Sequence, residues 1–315
     1  MARLATPDEI HSTETGVREV SFTMTVQFEH PVKLWVLQMG GWLPLPFWAG
    51  NVLLIDRNVT SKLSALAQPP GSSCSPADRW WLDHLNSESL TINPLLCAIE
   101  GSKKAVPSFE EFRDEFESAS RMVLLGLPKA RLLGFDYKSE HFRRVYSMVE
   151  SKSARHVQEM QFLVRVAPML VSRLGKAEAH RAEADIIQLA RSQGVALRSL
   201  AMFCVLSCLY EPQDGSPPRI GRGVLKPRAT YTDADAHNAL SDIRSLELLA
   251  AFNGLGLGTA GFCTRDKHLA AFWCALDVSN PRWQGRKFDA TLTPSAQLFP
   301  RLDARGIAEL VERLQ

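Results

Sequence analysis

Short apolar runs, turn signals and helical segments alternate along the chain. The clearest buried-strand pattern is NVLLIDRN at 51–58, in which four apolar residues run directly into Asp56. A short apolar run that ends in a polar turn is typical of a strand buried on both faces, as in parallel sheets. A second such run, AGFCT, precedes Asp266 by one residue. We therefore expect an α/β fold whose ligands collect at the carboxyl ends of these strands.

The segments before and between these runs predict further elements. Residues 16–37 alternate apolar and polar positions, which predicts a half-buried strand and a second strand after the Pro31 turn. Residues 38–50 are interpreted as a Pro/Gly-punctuated loop, and most of 77–210 has helical periodicity.

The last third of the chain predicts an aperiodic loop and several regular elements. The loop spans 211–230, which is long enough to be functional or mobile. A strong helix follows it, and KFDATL favours a strand. The predicted organisation is a β-rich extension over 1–47, a main domain over 48–300 with a helical insertion at about 105–212, and a closing helix within 301–315.

Composition narrows the class of protein. The 315 residues are 45% hydrophobic and 22% charged with a net charge of +2, which excludes a disordered chain and does not indicate a polyanionic partner. The start shows no secretory signal, and no apolar window is long enough for a membrane span. The six cysteines predict reduced core residues in a cytoplasmic protein, with a metal shared by Cys204 and Cys208 as the less favoured alternative.

Further carboxylates occur between the two strand ends. Glu100 ends INPLLCAIE, and the predicted helix carries Asp235, Asn238 and Asp242 along one stripe, while Asp233 is interpreted as a helix cap. Two carboxylates 4 Å apart repel by about 4 kcal/mol at an effective dielectric of 20, so such a group requires a cation. Oxygen-only ligands favour Mg²⁺ or Mn²⁺.

These marks together resemble the PIN-domain family of metal-dependent nucleases, which includes many toxins of toxin–antitoxin pairs. The resemblance rests on LLIDRN, CAIEG, HNALSDIRSLELLAA and CTRDKHLAAF, and this chain is much larger than those toxins. It implies a parallel sheet sandwiched by helices and metal-dependent hydrolysis of RNA, less often DNA. The implied metal ligands are Asp56, Glu100, Asp242 and Asp266, with Asp235 as an alternative or additional ligand and Asn58, Asn238 and Thr264 in support.

The resulting expectation is a cytoplasmic Mg²⁺- or Mn²⁺-dependent endoribonuclease, with a toxin–antitoxin or defence role as the context that the resemblance implies. Its predicted phosphate contacts are Arg265, Arg219, Arg222, Lys226 and Arg228. Two alternatives stay open: a non-catalytic PIN-like module that binds RNA or protein, and a metal-dependent phosphohydrolase of a small phosphate ester. An inhibitor protein and a homo-oligomer are the other partners considered, and no membrane partner is expected.

Overall fold

The computed structural model describes residues 25–50, 52–66, 74–101, 103–133, 140–256, 258–285 and 287–315. The strands are β1 (Trp35–Gln38), β2 (Gly41–Pro44), β3 (Val52–Ile55), β4 (Thr91–Asn93), β5 (Arg131–Leu132), β6 (Ala260–Thr264), β7 (Val278–Gln284) and β8 (Lys287–Leu292). The helices are α1 (Arg57–Leu66), α2 (Pro76–Leu85), α3 (Leu95–Glu100), α4 (Phe109–Gly126), α5 (Glu140–Glu150), α6 (Ser153–Val166), α7 (Lys176–Ser192), α8 (Leu200–Leu209), α9 (Ile220–Leu225), α10 (Asp233–Gly254), α11 (Lys267–Leu276) and α12 (Ala304–Arg313).

Six strands of the described residues form one mixed, mostly parallel sheet. Their order is β2-β1-β6-β3-β4-β5, and β3, β4, β5 and β6 run parallel to one another. Strand β1 is antiparallel to both β2 and β6, while β7 and β8 form a separate antiparallel hairpin. The predicted α/β class is therefore confirmed.

The central strands are buried on both faces, as their apolar runs predict. In β3, Leu53 and Ile55 pack into one hydrophobic cluster and Leu54 into another. In β6, Cys263 and Phe262 divide between the same two clusters. Since successive strand side chains point to opposite faces, helices must cover both. Helices α1, α2 and α4 supply apolar residues to one cluster, and α6 to α11 supply the other.

The described part of the predicted amino-terminal extension belongs to this sheet. The first strand predicted there lies largely in residues 1–24, outside the described residues, and the stretch 25–34 contains no strand. The second predicted strand corresponds to β1, which pairs with β6 in the middle of the sheet. Residues 41–44, predicted as loop, form β2.

The middle of the chain contains predicted helices and, in addition, two short strands that were not predicted. Helix α4 begins as predicted, with a capping box between Ser108 and Glu111. Strands β4 and β5 interrupt the region interpreted as helical. They are three and two residues long, too short to show a period, and are defined by pairing with their neighbours.

The segment 211–230 is packed rather than open, because it contains α9 against α8. The amide of Gly221 donates to Ser207 Oγ over 3.1 Å. A Cβ atom at residue 221 would lie 2.5 Å from the carbonyl oxygen of Cys204, so glycine is required for this close approach.

The remaining predictions concern the carboxyl-terminal elements, the cysteines and a membrane span. The predicted strand at KFDATL and the closing helix are confirmed as β8 and α12, whereas β7 was not expected. Four cysteines are buried, two are partly exposed, and all six are free thiols. In the described residues, no helix has the length and apolar character needed to cross a membrane.

Candidate metal centre

Asp56 and Asp266 lie side by side where β3 and β6 end. The two strands are parallel with Ile55 opposite Cys263, so both chains leave the sheet at the same edge. Asp56 Oδ1 accepts the amide of Val59 at 2.8 Å, which caps the start of α1. Asp266 Oδ1 likewise accepts the amides of residues 268 and 269 at 2.8 and 3.1 Å and caps α11. Each aspartate therefore secures a helix start with one oxygen.

Thr264 connects the two aspartates. Its hydroxyl donates to Asp56 Oδ2 over 2.7 Å and accepts the amide of Asp266 over 3.0 Å. The Thr264 side chain is fully buried at the end of β6. Because donor and acceptor roles of this hydroxyl are both used, it fixes the orientation of the Asp56 carboxylate relative to the turn that carries Asp266.

Glu100 and Asp242 complete a group of four carboxylates, which we call the acidic cluster. Burial raises the pKa of Asp242 well above its usual value, and the charges of Asp266, Asp56 and Glu100 raise it further. Burial likewise raises the pKa of Glu100 to about 7, with a contribution from Asp56. The four acidic residues predicted as ligands come from elements far apart in sequence, and their charges act on one another.

The pKa of Asp56 is also raised, to about 6. Burial is the largest cause, and the charge of Asp266 adds to it. The hydrogen bonds from Thr264 and Val59 act in the opposite direction because they stabilise the ionised carboxylate. In the absence of a nearby cation, burial therefore favours the protonated, neutral form of the Asp56 carboxyl group.

Two cationic side chains border the acidic cluster. Arg57 Nε lies 3.9 Å from Glu100 Oε1, while Arg57 Nη2 binds Glu115 at 2.9 Å and the Cys97 carbonyl oxygen at 3.1 Å. Lys226 Nζ lies 4.0 Å from Asp266 Oδ2 and keeps most of its side chain exposed. Arg57 was missed from the sequence, although its position directly after Asp56 was a signal for it.

A pair of histidines supports the end of α3. One nitrogen of His237, Nε2, lies 3.0 Å from the Glu100 carbonyl oxygen, and Nδ1 lies 3.1 Å from His156 Nε2. A carbonyl only accepts, so the His237 proton is on Nε2 and His156 donates to Nδ1. Burial lowers the pKa of both rings, to about 3 for His156, which keeps them neutral. Sequence reasoning missed this pair because the two histidines are distant in the chain.

The candidate residues on the first turns of α10 do not join the cluster. Asp235 forms a capping box with Thr232, which is the N-cap in place of the predicted Asp233. Asp235 also pairs with Arg228, and its pKa is lowered by the hydrogen bond from the Thr232 amide. Asp242 is thus the residue of the stripe whose charge interacts with the other three carboxylates. The supporting residues predicted beside these ligands, Asn58 and Asn238, are exposed.

Most of the predicted phosphate contacts are engaged within the protein. Arg265 Nη2 binds Asp78 over 2.7 Å on the side of α2. Arg222 pairs with the buried carboxylate of Glu211 and donates to the carbonyl oxygens of Leu170 and Val171. Both guanidinium groups are paired and partly buried and so help to hold the fold, while their contact with phosphate stays a prediction. Arg219 is exposed and donates to the Gly215 carbonyl oxygen, and Lys226 lies beside the cluster.

The donor set suits a hard divalent cation, since it consists of carboxylate oxygens. In the described part of the chain, however, no three Asp, Glu, His or Cys side chains stand close enough together to hold one ion. The predicted set of five direct ligands is therefore not gathered in this arrangement. Mg²⁺ commonly retains several waters in proteins, so Asp56 and Asp266 are the residues that would hold such an ion with few direct protein ligands.

Comparison with known proteins adds no assignment. No protein-family model matches the chain, and no match is found among curated proteins or solved structures.

Proposed function

We propose that the protein is a PIN-like, Mg²⁺- or Mn²⁺-dependent nuclease that hydrolyses phosphodiester bonds of RNA. The observation that carries the proposal is the acidic cluster: Asp56 and Asp266 lie where the parallel strands β3 and β6 end, and their charges, with that of Glu100, act on the buried carboxylate of Asp242. Burying carboxylates that repel one another lowers the free energy of unfolding. Binding of a divalent cation offsets that loss, and nuclease chemistry uses the cation.

Asp56 and Asp266 are the best candidates for direct ligands. Each has one oxygen committed to a helix start, and this contact fixes the carboxylate rotation. Thr264 adds a second constraint on Asp56. A bound divalent ion lowers the pKa of an attacking water and stabilises the leaving oxygen of a phosphodiester. The protein contributes two carboxylates, those of Asp56 and Asp266, whose orientation is already fixed by hydrogen bonds.

Glu100 and Asp242 act on protons and on water. The pKa of Glu100, about 7, makes it able to accept a proton near neutral pH. The charge of Asp242 interacts with those of the other three carboxylates, and its role would be to orient water beside them. Arg57 limits the movement of Glu100 through its contact of 3.9 Å.

Lys226 is the best candidate for contact with substrate phosphate. It is exposed and lies beside Asp266, whereas Arg222, Arg228 and Arg265 are paired within the protein. Its backbone has the left-handed conformation (φ 51°, ψ 53°) at the C-cap of α9.

The test is cleavage of labelled single-stranded RNA by the purified protein with Mg²⁺, Mn²⁺ or EDTA. We expect cleavage with either metal, none in EDTA, and loss of at least a hundredfold in the Asp56→Asn, Asp266→Asn double variant. The matched control is Asp303→Asn, since Asp303 caps α12 outside the cluster. Both amide variants keep an acceptor for the helix amide, so folding is retained.

The other outcomes separate the alternatives. RNA binding without cleavage by the wild type would refute the enzyme and favour a binding module. Turnover of a small phosphate ester without RNA cleavage would favour the phosphohydrolase. Cleavage that persists in the double variant would assign the activity to other residues or to a contaminant.

A further inference from the structure

A separate pocket lies among α3, α5, α10 and β7, and encloses about 120 Å³. Its walls are mainly apolar and include Ile99, Val149, Leu248, Phe252 and Trp283. The indole nitrogen of Trp283 already donates to the Ala251 carbonyl oxygen over 2.9 Å. Among the described lining residues, the apolar walls therefore offer no side-chain donor to a polar ligand, and the polar groups are confined to three charged residues.

Those charged residues are Lys152, Arg244 and Glu247. Glu247 is bound by Arg155 with contacts of 2.6 and 3.4 Å, and Arg155 also binds Glu159 at 2.9 Å. The two carboxylates are thus both held by Arg155. With the two further cations, the group of five has a formal charge of +1.

Lys152 and Arg244 have no carboxylate within ion-pair distance among the described residues. The hydrogen bond of Arg244 runs to the Lys152 carbonyl oxygen at a long 3.5 Å. Both side chains are partly buried, so both have lost part of their hydration. A cation that has lost water without gaining a direct counter-ion is the complement of an anionic ligand.

We propose that this pocket binds a small amphipathic carboxylate, with its apolar body against Phe252 and Leu248 and its carboxylate against Arg244 and Lys152. An arginine fork is suited to bidentate contact with a carboxylate. The volume is similar to the roughly 150 Å³ of an apolar cavity that holds one benzene, so the body has about six carbon atoms. A nucleotide fits poorly, because a base needs several convergent polar groups. The inference does not depend on the proposed nuclease activity.

The test uses the full-length protein and a matched set of probes: hexanoate, 3-phenylpropionate, hexan-1-ol, hexylamine and acetate. We expect the two larger carboxylates to bind by calorimetry and to raise the melting temperature. The alcohol and acetate should bind at least tenfold more weakly, because each lacks one of the two features that the pocket recognises. The amine should not bind, since it would face two cations.

Variants locate the binding. Arg244→Gln is expected to weaken carboxylate binding at least tenfold. Arg144→Gln is the matched control on the exposed face of α5, where Arg144 pairs with Glu140, and should bind like the wild type. If Arg244→Gln fails to fold, Lys152→Gln provides the same comparison, and Trp283→Phe should remove any ligand-induced change in tryptophan fluorescence.

Three results would overturn the proposal. They are absence of binding by both larger carboxylates, equal binding of hexan-1-ol and hexanoate, and carboxylate affinity that is unchanged in the folded charge-removing variants.

Discussion

The pKa of Asp56 makes a quantitative prediction about stability. Its ordinary value of 3.8 is raised to about 6 in the folded protein, mainly by burial. At 1.36 kcal/mol per tenfold change in proton affinity, the difference corresponds to about 3 kcal/mol. The side chain is 6% exposed, so screening by solvent reduces this figure little. The perturbation is Asp56→Asn, which removes the charge and keeps the shape.

The direction of the pH dependence of stability is set by which state, folded or unfolded, binds the Asp56 proton more tightly. The folded protein binds the Asp56 proton better than the unfolded chain, so the favourable contribution is present below about pH 4. It is lost as the pH rises from 3.8 through 6. We expect Asp56→Asn to be more stable than the wild type in EDTA at pH 8, and this difference to shrink by about 2 kcal/mol at pH 4.

The assay is urea unfolding in EDTA at both pH values, followed by the fluorescence of the seven tryptophans. Asp303→Asn is the matched control and should show no such pH-dependent gain, because Asp303 is an exposed helix cap. A difference between wild type and Asp56→Asn that is the same at pH 4 and pH 8 would refute the reasoning. The cluster would then not hold Asp56 in a desolvated, repelled state.

Four further predictions follow from single contacts. Saturating Mn²⁺ at pH 8 should raise the unfolding free energy of the wild type by about 2 to 3 kcal/mol at 100 times its dissociation constant, and should leave the Asp56→Asn, Asp266→Asn protein nearly unchanged in a urea titration. Gly221→Ala should cost about 2 to 3 kcal/mol because the new Cβ meets backbone, whereas Gly306→Ala, with its nearest neighbour at 3.2 Å, should change the urea midpoint little. Lys226→Gln should strengthen Mn²⁺ binding up to several-fold by calorimetry while slowing RNA cleavage, and weaker Mn²⁺ binding would contradict this. His237→Phe should lose about 2 kcal/mol in urea unfolding by leaving buried polar groups unpaired, and an unchanged midpoint would show that its two bonds contribute nothing net.

The main strands, and the positions of Asp56 and Asp266 just after them, could be predicted because local sequence determines them. An apolar run followed by a polar turn defines β3 and β6, and the residue after such a strand must leave the sheet at its carboxyl edge. From the sequence, Asp56 could be interpreted either as a helix cap or as a functional residue. The structure gives one oxygen to the cap and the other to Thr264, so the cap does not exclude a second role.

The charged residues outside the cluster could not be assigned in the same way. A basic run predicts charge but does not identify its partner, and the partners are distant: Arg265 meets Asp78 from 187 residues away. Asp235 was placed on the correct helical face, yet Thr232 and Arg228 take its oxygens. The roles of these charged residues depend on which side chains they contact in the folded protein. A single sequence does not identify those contacts.

The bond between Thr264 and Asp56 spans 208 residues, which determines when the site can form during synthesis. At about 5 to 20 residues per second, Asp56 leaves the ribosomal catalytic centre roughly 10 to 40 seconds before Thr264 is added. Strand β1 also pairs with β6, with Trp35 opposite Thr264, so this pairing too can form only after β6 has been synthesised. The middle of the sheet therefore stays open until β6 has been synthesised. The complete acidic cluster therefore cannot form before Asp266, which follows β6, has been added to the chain.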